Sequence, residues 1–268
     1  MKQPIQITLL ILLTCFGCTP SEASIQTAIA LTQAKLPTDT SVPLIATPTL
    51  TQLPSPTFTL TPTQTITPSP TASMFFTEEF NQPLNEFWTL HIYGPNKDLI
   101  SKVKTQVNEG NLEVEITRED IYAYYFFNQF SYTDVRLDMR AENRGRRTNN
   151  ISLICRKSDD GWYEFSVGSD AAWYLFYANV SKNKSNALYK LVANGAALAL
   201  KQGNDTNEYT MICEGESITL MVNGTELKGS PIRETIYKLK KGSVGMNVSS
   251  LNVVPVIVDF DWLKISLP

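Results

Sequence analysis

The run Ser152-Leu153-Ile154-Cys155-Arg156-Lys157-Ser158-Asp159-Asp160-Gly161-Trp162-Tyr163-Glu164-Phe165-Ser166-Val167 reads as strand, turn and strand. Its first part is short and apolar. Ser158-Asp159-Asp160-Gly161 has turn chemistry, because Ser and Asp bond their own backbone and Gly accepts positive φ. From 162 to 167 the residues alternate. Tyr163, Phe165 and Val167 share one face, and Trp162 and Glu164 share the other.

The same pattern repeats outward from this hairpin. Leu112, Val114 and Ile116 alternate with polar positions, as do Val135, Leu137 and Met139. Residues 172–177, 188–192, 209–214, 218–222, 244–248 and 256–265 continue the series. Asn223-Gly224 is a hairpin turn signal, since both central residues of that turn need positive φ. No segment carries a sustained helical period with caps. About a dozen short strands predict an all-β, two-sheet antiparallel sandwich over residues 74–268, a stretch long enough for one sizeable core.

The chain before position 74 has a different composition. Lys2, an apolar run over 5–16 and Gly17-Cys18 describe an export signal, too short to span a bilayer. We expect a lipoprotein signal over 1–17, with Cys18 as the lipid-bearing first residue of the mature chain. Cys15, with Leu12 three residues before it but Thr14 directly before the cut, is a second placement, and ordinary secretion with cleavage near Ala23 is a third. Several acyl tails on Cys18 would anchor stably. Residues 18–73 form a low-complexity linker. From 37 to 73 roughly two-thirds of positions are Pro, Thr or Ser, and such a composition stays extended and disordered. It serves as a spacer or as a passive tether. The expected location is outward-facing at the bacterial cell membrane.

The 268-residue chain has a formal net charge of -3 and no basic stripe, which argues against nucleic acid. Arg144, Arg146 and Arg147 flank Gly145 and read as a solvated turn. One His and two domain cysteines are too few for zinc. His91 reads as a rim residue, and no Gly-x-Ser-x-Gly elbow is present. Cys155 and Cys213 are an even pair in strands of an exported domain, so a disulfide is expected; two buried thiols are the other reading.

Several ordered segments resemble one family: Phe76-Thr77-Glu78-Glu79-Phe80 with Trp88, Asn108-Glu109-Gly110-Asn111-Leu112, Ile154-Cys155-Arg156 and Gly161-Trp162-Tyr163-Glu164-Phe165. They continue with Tyr209 to Gly215, Met221-Val222-Asn223-Gly224, Gly242-Ser243-Val244-Gly245 and Val258-Asp259-Phe260-Asp261. Together they resemble the concanavalin A-like lectin/glucanase jelly roll, with laminin-G-like and 3-keto-disaccharide hydrolase-like domains as the nearest branch. The resemblance implies two packed sheets, one concave and often carrying carbohydrate. No cofactor is expected; as in related jelly rolls, a structural calcium could sit between Asp259 or Asp261 and the Glu78-Glu79 turn, with Glu79 as its ligand there, although calcium wants six to eight oxygens. The Glu-x-Asp-x-x-Glu run of the glucanases of this fold is not found here. Glu113 and Glu115 alternate, but within a solvent-facing pattern.

Aromatic density is greatest at 122–127, 162–165 and 173–177. The expected sugar platform is Trp162, Trp173 and Tyr177, with Arg156 and Glu164 bonding hydroxyls; the same rings would alternatively pack the sandwich. The expected function is non-catalytic binding of a glycan or surface polymer by a membrane-anchored module. A glycan- or keto-sugar-acting hydrolase and a protein-binding scaffold are the alternatives.

Overall fold

The computed structural model describes residues 73–145, 148–180 and 187–268. The expected signal, lipidation site and linker lie outside these residues. The chain runs β1 (Phe76–Glu78), β2 (Trp88–Tyr93), β3 (Val103–Asn108), β4 (Asn111–Ile116), β5 (Tyr122–Tyr132) and β6 (Val135–Asn143). It continues with β7 (Asn149–Lys157), β8 (Gly161–Gly168), β9 (Ala172–Asn179), β10 (Leu188–Ala196) and β11 (Thr206–Glu214). The last five are β12 (Ser217–Val222), β13 (Thr225–Glu226), β14 (Ile232–Arg233), β15 (Gly242–Ser250) and β16 (Val256–Ser266). Among the described residues there is no α-helix.

These strands form two antiparallel sheets, a jelly-roll sandwich. One has nine strands, in the order β13-β12-β11-β6-β16-β4-β3, with β1 beside β16 and β14 beside β12. The other has seven, in the order β10-β9-β8-β7-β15-β5-β2. Alternation fills the space between them. Leu137 and Met139 of β6, Val258 and Phe260 of β16, Leu153 of β7, Tyr163 and Phe165 of β8, and Val244 and Met246 of β15 belong to one buried cluster. Asn223 and Gly224 both take positive φ, 49° and 73°, in the tight turn between β12 and β13.

Cys155 of β7 is bonded to Cys213 of β11, so the disulfide ties the seven-stranded sheet to the nine-stranded one. Burying both sulfurs at the sheet interface leaves them inaccessible to reductant.

The strands of the seven-stranded sheet do not all alternate. Every residue of β8 and β15 is buried, and Ala123 to Phe127 of β5 are buried consecutively. A strand reads this way when both its faces are covered. The inner face is covered by the other sheet. The outer face is covered by its own aromatic side chains. Simple alternation therefore does not reveal β5, whose two faces are both apolar.

Candidate functional site: an aromatic cleft on the seven-stranded sheet

Strand register decides which side chains share the outer face. Glu164 of β8 lies opposite Phe176 of β9 and opposite Ile154 of β7. One step along, Ser166 lies opposite Tyr174 and Ser152, and Ser152 lies opposite Asn247 of β15. Asn247 lies opposite Tyr124 of β5. The outer face thus has a polar floor of Ser152, Glu164, Ser166, Asn247 and Ser249, all buried. Rings from both flanks rise around it.

The floor stays low because its central residues are small. Gly245 of β15 pairs with Phe126, and a Cβ there would meet Tyr125 O at 2.5 Å and the Phe126 ring at 3.1 Å. With Gly245, Ser152 and Asn247 between them, Tyr124 reaches across two strands to Glu164. Its hydroxyl donates to Glu164 Oε2 at 2.8 Å, and Trp162 Nε1 donates to the same oxygen at 3.1 Å. The Tyr124 and Tyr189 hydroxyls lie 2.7 Å apart. Because Tyr124 spends its proton on Glu164, Tyr189 is the donor in that second bond. Burial pushes the Glu164 carboxyl above its ordinary value, and bonds from Trp162, Tyr124 and Ser152 only partly offset this. Burial, and next the nearby Glu164, also hold the Tyr124 and Tyr189 phenols well above theirs, so both stay protonated.

A cavity of about 210 Å³ opens over this acid, lined by Tyr122, Tyr124, Phe176 and Tyr189 and by Asn150, Glu164, Ser166, Ser249 and Leu251. Tyr189 meets Tyr122 and Phe176 edge-on, at 6.2 and 6.0 Å. A second cavity of about 430 Å³ shares Asn150, Phe176 and Leu251 with the first and continues to Tyr174, Ser169 and Asp170. Among the described residues lining the two, the acids are Glu164 and Asp170, and none is basic. Rings with a polar floor offer stacking surfaces and hydrogen bonds to a polyhydroxylated ligand.

The residues expected for the platform divide between places. Trp162 and Glu164 lie on the outer face. Trp162 is fully buried there, packed against Tyr93, Tyr124 and Phe126. Trp173 and Tyr177 are not with them: they point between the sheets and belong to the main core. Their β9 neighbours Tyr174 and Phe176 take the outer face, stacked at 5.5 Å. Arg156 is also elsewhere. Its positive φ of 55° turns it out of the strand, and its guanidinium donates to Thr133 O and Leu239 O, each at 3.1 Å. Asp134 lies 3.6 Å away. Arg156 therefore clips loops to the end of β7 and does not reach the cleft. Tyr122, Tyr124, Phe176 and Tyr189 were not singled out as ligand contacts from the sequence. The signal that finds them is the pairing of Phe176 with Glu164.

Of the expected metal residues, Asp259 and Asp261 line one polar cavity, and Glu79 is not among its lining residues. Asp259 is bonded by Arg144 Nη1 at 2.6 Å, and Asp261 by Arg140 Nε at 3.3 Å. Glu79 is exposed, and among the described residues no group of three or more His, Cys, Asp or Glu side chains is placed to hold a metal. Each aspartate is thus paired with an arginine, while Asp259 Oδ1 is buried without a hydrogen-bond partner. His91 lies on the outer face of the edge strand β2, stacked on Tyr93 at 5.6 Å, outside the cleft.

No family model and no curated protein matches the chain. Solved structures do. A glycoside hydrolase family 16 endo-glucanase from Bacteroides ovatus matches with a TM-score of 0.54 at 12% identity, over 71% of this chain and 99% of that one. The LamA structure from Z. galactanivorans, in complex with laminaritriose and laminaritetraose, gives 0.50 at 14% identity, over 71% and 97%. A Bacillus subtilis protein of unknown function with a galectin-like fold gives 0.52 at 10% identity, over 72% and 94%. The chain has the concanavalin A-like jelly-roll fold. In this concanavalin A-like domain the cleft lies on the outer face of the seven-stranded sheet, and Glu164 stands at its centre.

Proposed function

We propose that the domain is a non-catalytic glycan-binding module, held at the outer face of the bacterial membrane by a lipid on Cys18 and lifted from it by the Thr/Pro-rich linker. The ligand lies in the aromatic cleft over Glu164. The observation that carries this reading is the composition of the cleft. Half-buried rings of Tyr122, Tyr174, Phe176 and Tyr189 flank a floor of hydroxyl, amide and carboxyl groups. Sugars offer apolar C–H faces to rings and hydroxyls to such a floor. With no basic residue among the described lining, the cleft favours neutral glycans over uronates or sulfated chains.

Binding is preferred to hydrolysis because glycosidases flank the scissile bond with two carboxyls, about 5–5.5 Å apart for retention or 6.5–9.5 Å for inversion. In the inner cavity Glu164 is the one carboxylate among the described lining residues. A hydrolase is the second reading. It is favoured by one observation: burial holds the Glu164 carboxyl above its ordinary value, as a proton donor requires.

A glycan array followed by titration of each hit, with reducing-sugar release measured in parallel, tests the proposal. Saturable binding weakened by Phe176→Ala, with no release, supports it. Release abolished by Glu164→Gln moves the assignment to the hydrolase. Binding to none of the glycans overturns both.

A further inference from the structure

The cleft has one open end and one closed end. At the open end its walls are the strand-end segments carrying Ser169 and Asp170, and Asn252 across from them. Toward the other end of β8 the groove stops. Tyr124 and Tyr189 approach from opposite flanks and join their hydroxyls at 2.7 Å over Glu164, which is 3% exposed. Immediately behind this bar Trp162 fills the concavity. It is 0% exposed and contacts Tyr93, Tyr124 and Phe126 at 5.5, 5.2 and 5.4 Å between ring centres. Among the described residues, a polymer lying along the groove from the Asp170 side meets a wall of packed rings.

From this we infer that the cleft takes the end of a glycan chain, seating its terminal residue against the Tyr124–Tyr189 bar, and does not clasp an internal segment. The inference rests on the glycan reading above and specifies its ligand. A terminal sugar has one more free hydroxyl than an internal one. The Ser166 hydroxyl on the floor, the Tyr189 oxygen at the bar and the Ser249 oxygen, whose own proton goes to Asn247 Oδ1 at 2.9 Å, are the groups that face it, the last two as acceptors. An internal residue carries a further sugar at that position, and the bar occupies the space the sugar would need.

The test uses the full chain and those glycans to which an array shows binding. Each is offered as a linear series of decreasing length and as a cyclic oligosaccharide of the same linkage, which has no ends. End recognition predicts binding to every linear member and none to the cyclic one. It also predicts that shortening the chain ~tenfold lowers the mass concentration at half-saturation ~tenfold, because mass action then counts ends. Equal binding of cyclic and linear forms, or half-saturation that follows glycan mass irrespective of length, overturns the inference and leaves glycan binding standing. No binding to any member of the array removes the glycan reading itself, and this inference with it. Which terminus is taken is read by blocking the reducing end. Loss of binding assigns that end and retention assigns the other.

Discussion

The hydroxyls of Tyr189 and Tyr124 meet at 2.7 Å, although β9, β8, β7 and β15 lie between their strands in the sheet. Neighbouring strands stand about 4.8 Å apart, so a flat sheet would hold these residues about 24 Å apart. Two tyrosines cannot span that. The seven-stranded sheet is therefore curled, and the curl brings residues from its two flanks over one buried acid.

Removing each hydroxyl separately tests this network. Tyr189→Phe removes a terminal donor and is expected to cost about 1 kcal/mol, the net worth of one hydrogen bond. Tyr124→Phe removes a donor to the buried Glu164 and leaves the carboxyl less satisfied, so it costs more, on the order of 2–3 kcal/mol. Urea unfolding of the two variants gives the order; equal losses would contradict it.

Glu164 and Glu234 should give stability opposite pH dependences. The folded pKa of Glu164 is raised above 4.5, chiefly by burial. Its contribution is full below pH 4.5 and is lost as pH rises through the folded value. Thermal melts of the wild type should fall relative to Glu164→Gln over that rise, and parallel curves would refute the assignment.

Glu234 behaves the other way. Burial pushes it up, but Tyr163 donates to its carboxylate, as do the amides of Ile236, Tyr237 and Lys238 at 2.7, 2.9 and 3.1 Å, and these bonds hold its pKa below 4.5. Its contribution is present above pH 4.5 and lost as pH falls through the folded value. Glu234→Gln should destabilise at neutral pH by about 1–3 kcal/mol, with the gap closing in acid, as denaturant melts at the two pH values would show.

The disulfide closes a separation of 58 residues between the sheets. In the chain-entropy model its loss costs about 4 kcal/mol. Replacing both Cys155 and Cys213 by Ala should lower the denaturant midpoint accordingly. Glycan affinity should persist, because neither sulfur faces the cleft; loss of affinity in a variant that still melts cooperatively would count against the site.

Inner and outer rings of β9 should separate stability from binding. Trp173→Ala empties core volume and should cost about 3–5 kcal/mol. Phe176→Ala removes a half-buried ring from the cleft wall and should weaken glycan binding by about 2 kcal/mol, the lower end of the hot-spot range. Calorimetric titration beside thermal melts distinguishes the two. If Trp173 governed affinity and Phe176 did not, the face assignment would be reversed.

Much of the fold was legible in the sequence. The period-2 runs, the Asn223-Gly224 turn, the paired cysteines and the shared face of Trp162 and Glu164 all appear in the structure. Strand β5 was less legible, because a strand covered on both faces loses its alternation. Arg156 was misleading. A charged residue beside a strand end looks like a ligand contact, and only its positive φ and two carbonyl partners show it to be a clip.

The sequence by itself determined that this segment folds as strands, and which residues within each strand lie together. It could not determine which face of β9 joins the Glu164 face of β8. Alternation leaves one binary choice per strand, and shifting the register by a single residue exchanges every side chain between core and surface. Pairing of Glu164 with Phe176 made that choice, sending Trp173 and Tyr177 inward and Tyr174 and Phe176 to the cleft. The tertiary structure also supplied the sheet's curvature, without which Tyr124, Tyr189 and Glu164 would be three separate residues on a flat surface.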